Sequence, residues 1–169
     1  MADLETTYLG LKLKSPVIIA ASPLTQNVVS LMKCEEAGAG AVVLKSIFEE
    51  QINEEVNAEV EANDEYLNFS SAHSVYQRAA TDFLIEKYIK LLASAKKELH
   101  IPVIASICCK SLSSWSEYAK RFIENGADAI ELNYYPVTSD ARVEGKVVDE
   151  EFRNFVEYAR KNISCPLAI

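Results

Sequence analysis

The chain has 169 residues, 49% hydrophobic and 25% charged, with a formal net charge of −8. That is apolar enough for one globular unit with a core, and the acidic balance without any Lys/Arg cluster excludes a nucleic-acid partner, whose phosphates require concentrated positive charge. No apolar run approaches a bilayer span, and the opening Met1-Ala-Asp-Leu-Glu5 is acidic where a signal peptide is basic, so the expectation is no membrane partner and a cytoplasmic protein. Cys34, Cys108, Cys109 and Cys165 lack zinc spacing and read as reduced thiols, and the two histidines, His73 and His100, are too far apart in sequence to indicate a metal site.

In chain order, Thr7 to Leu13 alternates apolar and polar residues around Gly10 and predicts a hairpin within a leader of residues 1–15. Val17 to Ala21 is a short apolar run, β-branched at three positions, and predicts a strand buried on both faces. Asn27 to Ala37 carries Val28, Leu31, Met32 and Cys34 on helical spacing, with Asn27 as N-cap and Gly38-Ala-Gly40 as C-cap and turn. Ala41 to Leu44 predicts a second strand.

Residues 48–77 hold eight carboxylates and no Lys or Arg. They read as a solvated, partly helical surface insertion. The alternative, a hard-cation site, lacks the D-x-[DN]-x-[DN]-G pattern of a calcium loop, and no metal is expected. Beyond it the spacing predicts a helix over Ala80 to Leu99, a strand over Pro102 to Ile107, a helix over Ser113 to Asn125, a strand over Ala127 to Leu132, a helix over Val148 to Lys161, and the start of a strand at Cys165 to Ile169.

Alternating buried strands and amphipathic helices predict an α/β fold with a parallel sheet and right-handed crossovers. An open dinucleotide-binding sheet would place G-x-G-x-x-G after its first strand, where this chain reads Ala21-Ser-Pro-Leu-Thr25. The expectation is therefore a (β/α)₈ barrel, with the leader plugging its floor. Reacting groups in such a barrel lie just past the C-terminal ends of the strands. Here those positions are Ala21-Ser22, Lys45-Ser46, Cys108-Cys109 and Asn133-Tyr134-Tyr135. Lys45 at a buried strand end needs a partner: an electron-rich ligand, an acid such as Glu131, or solvent reached by snorkelling. Asn133 offers an acceptor and two donors to the polar edge of a planar heterocycle, or simply ends a strand.

Four of these segments carry a resemblance. Thr6 to Ser22 resembles the opening of class 1, cytosolic dihydroorotate dehydrogenases; Gly38-Ala-Gly-Ala-Val-Val-Leu-Lys-Ser46 resembles their strand that opens on Gly-Ala and ends in Lys-Ser; Ile101 to Ile107 and Gly126 to Asn133 resemble their third and fourth strands. The resemblance implies a flavoprotein of pyrimidine biosynthesis binding FMN at the top of the barrel. There Ala21, Ser22, Lys45, Ser46 and Asn133 would line the flavin ring, and a small planar dihydropyrimidine would be oxidised by hydride transfer.

The chain departs from the family where E-L-N-x-S-C-P-N, with its Cys base, is replaced by Glu131-Leu-Asn-Tyr-Tyr-Pro-Val137. It departs again at the orotate loop, which should fall near Leu67 to His73 and leaves only Asn68 as a counterpart. It is therefore most similar to dihydroorotate dehydrogenase-like proteins that keep the flavin half of the site. Cys108, Cys109 and Tyr135 are the substitute catalytic candidates, with packing or flavin stacking the other reading of Tyr134 and Tyr135.

A non-catalytic flavin or metabolite binder, and an aldolase using Lys45 as a Schiff-base amine, are the competing readings. A full barrel needs about 250 residues. The sequence predicts about four βα units and the start of a fifth strand, the N-terminal half of a single domain. On its own this half is expected to bind FMN weakly or not at all, and to be completed within a longer chain or by association, for example as a homo-oligomer.

Overall fold

A computed structural model of the chain describes residues 3–62, 70–108, 112–134 and 140–169. The leader forms the hairpin its alternation predicts: β1 (Thr6–Tyr8) pairs antiparallel with β2 (Leu11–Leu13). Leu9 and Gly10 between them both have positive φ, 53° and 80°, as a two-residue type I′ turn requires. Leu9 takes this disfavoured conformation while its side chain packs against Val43, Ile104 and Ala129, which offsets the strain.

The main sheet is parallel. β3 (Ile18–Ile19) pairs with β4 (Ala41–Val43), β4 with β6 (Val103–Cys108), β6 with β7 (Ala129–Leu132), and β7 with β8 (Leu167–Ala168). A short β5 (Ile47–Phe48) continues the line of β4 and pairs with the upper part of β6. The parallel strands thus lie side by side in chain order. A doubly wound sheet reverses its order at a switch point; among the described residues this one does not, and its helices pack on one face. It is the winding of part of a (β/α)₈ barrel.

The helices are α1 (Val28–Glu36), α2 (Glu49–Ala62), α3 (Ser70–Glu98), α4 (Leu112–Glu124) and α5 (Gly145–Asn162). The Asn27 side chain caps α1 by accepting from the Ser30 N–H, and Gly38 ends it with φ of 98°. Gly40 is required for another reason: a Cβ there would collide with the Ser15 carbonyl, where the leader crosses beneath β4.

The acidic stretch, expected to be partly helical, is more regular than that. It is largely α2 and the first turns of α3, so the second crossover is a helical pair rather than a loop before one helix. The reason is apolar: Ile52 and Val56, four residues apart, are buried in the same cluster as Ile85 and Tyr88 of α3, while Glu54 and Glu55 remain exposed.

Strand alternation divides the core in two. Val42, Val103, Ala105, Ile107, Ile130 and Leu132 face the helices, where Trp115, Phe122 and Phe155 fill the space; Trp115 meets Phe155 edge-on at 5.2 Å. Val43, Ile104 and Ala129 face the other way, onto Leu9 and Leu11 of the hairpin, which therefore covers the lower part of the inner face. Asp128 pins the bottom of the sheet. Its carboxylate accepts two bonds from the Lys96 ammonium (2.8 and 2.6 Å) and one from the Val103 N–H (2.7 Å), joining α3, β6 and β7.

Candidate functional site

Two residues above the apolar floor, the inner face turns polar. Ser106 on β6 lies directly across from Glu131 on β7, and Asn133 follows one inner position higher. Ser106 Oγ donates to Glu131 Oε1 at 2.8 Å and accepts from Asn133 Nδ2 at 2.9 Å; Ser46 Oγ lies 2.8 Å from the same oxygen. Two of the residues expected to line a ligand, Ser46 and Asn133, therefore meet through a third, Ser106, which is fully buried.

The backbone beneath this cluster is held in an unusual way. Between β4 and β5 the chain leaves the ladder at Leu44 to Ser46, so β6 loses its strand partner opposite Ser106. The Tyr88 hydroxyl fills the gap. It accepts from the Ser106 N–H at 3.1 Å and donates to the Ser106 carbonyl at 3.5 Å, satisfying a buried peptide that would otherwise be orphaned. Burial pushes the Tyr88 phenol well above its usual range, with the nearby Glu131 charge adding to the rise against the opposing Ser106 backbone bond.

The strand interruption also frees Lys45. Its N–H bonds the Thr25 carbonyl at 3.3 Å, tying the loop after β3 to the loop after β4, while its ammonium lies 5.8 Å from the centre of the Phe48 ring. Among the described residues Lys45 forms no ion pair, and Glu131 is bonded to Ser106 rather than to it. Lys45, Ser46 and Phe48 line one wall of a cavity of about 230 Å³, with Lys87 and Glu55 from the α2–α3 pair opposite.

Ala21 packs against the Val43 cluster at the end of β3. Ser22 starts a 3₁₀ turn (Pro23–Thr25), its N–H donating to Thr25 Oγ1 at 3.1 Å, and shares no hydrogen bond with the Ser106 cluster. Tyr134 points to the helix side and stacks on Phe155 at 4.3 Å, which makes it a packing residue. Cys108 is buried and pairs in register with Phe48. Asn68, Cys109 and Tyr135 lie outside the described residues. No group of three or more His, Cys, Asp or Glu among the described residues could hold a metal ion. No helix among them is long and apolar enough to cross a membrane.

Ser106, Glu131 as its partner, and Tyr88 escaped the sequence reading as site residues. The available signal was that Ser106 and Glu131 are lone polar residues at matching depth in two neighbouring apolar strands.

What the cluster leaves over is one open acceptor (Asn133 Oδ1), one amide proton, the Ser46 oxygen and an unpaired ammonium beside an aromatic ring. This donor and acceptor set fits the polar edge of a flavin ring.

No family model matches the chain. Among curated proteins, it is 31% identical over 134 residues to the catalytic subunit of dihydroorotate dehydrogenase B (NAD(+)) of Thermoplasma acidophilum, covering 79% of this chain and 42% of that one. It is 37% identical over 128 residues to the same subunit of Methanosarcina mazei, covering 75% and 38%. With subunit PreA of the NAD-dependent dihydropyrimidine dehydrogenase of Escherichia coli K12 it shares 26% over 136 residues, covering 78% and 32%. Among solved structures, a phosphoenolpyruvate phosphomutase from Streptomyces platensis subsp. rosaceus aligns with a TM-score of 0.46 at 15% identity, over 89% of this chain and 46% of that one. The chain spans about two fifths of the length of the dihydroorotate dehydrogenase subunits it matches. Over three quarters of its own length the chain is similar in sequence to the catalytic subunits of dihydroorotate dehydrogenases.

Proposed function

We propose that this chain supplies the ring-binding part of an FMN site in an oxidoreductase acting on dihydroorotate or a related dihydropyrimidine. The observation that carries the reading is the Ser46–Ser106–Asn133 cluster beside Lys45, at the C-terminal ends of neighbouring parallel strands, in a chain whose relatives are named as dehydrogenases of such compounds. A bound flavin would accept the hydride, and with it the two electrons of the reaction. Asn133 and Ser46 would orient the polar edge of the ring. Lys45 would place positive charge where negative charge develops, which is worth most in a site closed to water. The buried floor of Val43, Ile104 and Ala129 excludes water from below.

A second reading, a flavin or metabolite binder without dehydrogenase turnover, is favoured by one observation. Glu131-Leu-Asn-Tyr-Tyr-Pro carries no thiol where the resembling family has its base, and Tyr134 is committed to packing on α5.

The test is the visible spectrum of the full-length protein containing this chain, followed by anaerobic addition of dihydroorotate. A flavin spectrum that bleaches supports the dehydrogenase, and flavin that stays oxidised supports the second reading. Absence of flavin overturns the assignment of Lys45, Ser46 and Asn133.

A further inference from the structure

The strand-end cluster has a direction, and that direction is set from Glu131. A carboxylate accepts hydrogen bonds and donates none, so the single proton of Ser106 is committed to Glu131 Oε1. The Ser106 oxygen then has only its lone pairs to offer. Asn133 must turn its amino group, not its carbonyl, toward Ser106, and Ser46 must act as the donor across the 2.8 Å contact. Both outer residues are thereby left facing the strand ends as acceptors. Asn133 shows Oδ1 and one remaining amide proton, and Ser46 shows lone pairs alone. Ser106 cannot escape the arrangement, because it is fully buried and its own peptide is clamped by the Tyr88 hydroxyl.

We infer that Glu131 is a positioning residue that fixes the polarity of this edge, and that the edge selects a planar cyclic amide presenting a ring N–H to Asn133 Oδ1. The inference rests on the proposed function in taking the ligand to lie at the strand ends, and it adds which edge of the ligand is read and which buried residue decides it. A site built to accept from a ring N–H discriminates against the same ring with that nitrogen methylated, since the acceptor is then left unpaired. Both a flavin and a dihydropyrimidine carry such an N–H beside a carbonyl, so the experiment separates the two sources.

The full-length protein is stripped of flavin and titrated with FMN and with its N3-methyl analogue, and its KM is measured for dihydroorotate and for N-methylated dihydroorotates. One pair is expected to differ by about tenfold or more in the unaltered protein, the flavin pair if Asn133 reads the cofactor and the substrate pair if it reads the substrate.

Glu131→Gln has nearly the same shape and supplies a donor as well as an acceptor. It releases the Ser106 proton toward Asn133 and should shrink the discrimination to under about threefold, by weakening the N–H ligand more than the N-methyl one. Ser106→Ala, which cuts the relay while leaving Glu131 in place, should do the same. Equal binding of both members of each pair by the unaltered protein overturns the inference while leaving the flavin reading intact. So does a parallel loss for both members in Glu131→Gln, which is what a merely structural carboxylate would give. Failure to bind FMN at all would instead overturn the function on which the inference rests.

Discussion

Asp128 and Glu131 lie three residues apart on the same segment, and the structure treats them differently. Asp128, at the bottom of the sheet, is saturated: an ammonium and a backbone N–H fill its carboxylate, and every partner belongs to the scaffold. Glu131, on the inner face near the top, takes a single bond from Ser106 and passes its effect on to Asn133 and Ser46 at the strand ends. The same chemistry thus serves cohesion at one end of a strand and polarity at the other. Depth along the strand decides which, because the floor is closed by the hairpin and the top is where a barrel leaves its strand ends accessible.

Substitutions can break this contrast, and the largest effect belongs to the floor. Gly40→Ala drives a methyl into the Ser15 backbone, which cannot swing aside as a side chain tip would; a loss of about 3 kcal/mol or more is expected in denaturant unfolding. Asp128→Ala strands the Lys96 ammonium and the Val103 N–H together, and about 2–3 kcal/mol should be lost, with Asp128→Asn losing less because it still accepts from Val103. Tyr88→Phe removes the hydroxyl that spans the β4–β5 gap and should cost about 1–2 kcal/mol, with little change in the outer core, since the Tyr88–Phe122 ring stack at 4.5 Å is kept.

Tyr88 also carries a pH signature. Its phenol titrates higher in the folded chain than in the unfolded one, so its contribution is complete below the unfolded phenol range near 10 and is lost as the pH rises above it. Tyr88→Phe should flatten that part of the alkaline stability profile. The smallest effect on stability is expected for Glu131→Gln, below about 1 kcal/mol, because a Gln side chain keeps a hydrogen bond with Ser106 by donating to it.

Much of this fold was legible in the sequence because the signals were local. Asn27 and Gly38 bracket α1, Gly10 marks the hairpin, and the β-branched runs announce the strands. The extent of helix in the acidic stretch, and its pairing with α3, were harder to see, since Ile52 and Val56 are a thin apolar stripe among carboxylates and gain meaning only from α3 beside them.

The site was partly legible for a related reason. Lys45, Ser46 and Asn133 stand at strand ends, where the winding of the fold directs attention. Ser106 and Glu131 are single polar residues within apolar strands, and only the register that sets them opposite each other shows that they form a pair. Tyr88 was beyond reach, because its partner is a peptide eighteen residues away that a break in the neighbouring strand leaves open.

The most direct test of this account compares Asp128→Asn with Glu131→Gln in the full-length protein, reading bound flavin per mole of folded protein and its discrimination between FMN and dihydroorotate and their N-methyl analogues. The account predicts that Asp128→Asn lowers the unfolding midpoint and leaves flavin content and discrimination unchanged, whereas Glu131→Gln holds the midpoint and loses the discrimination. Two variants that lose stability and ligand recognition in the same proportion would contradict it.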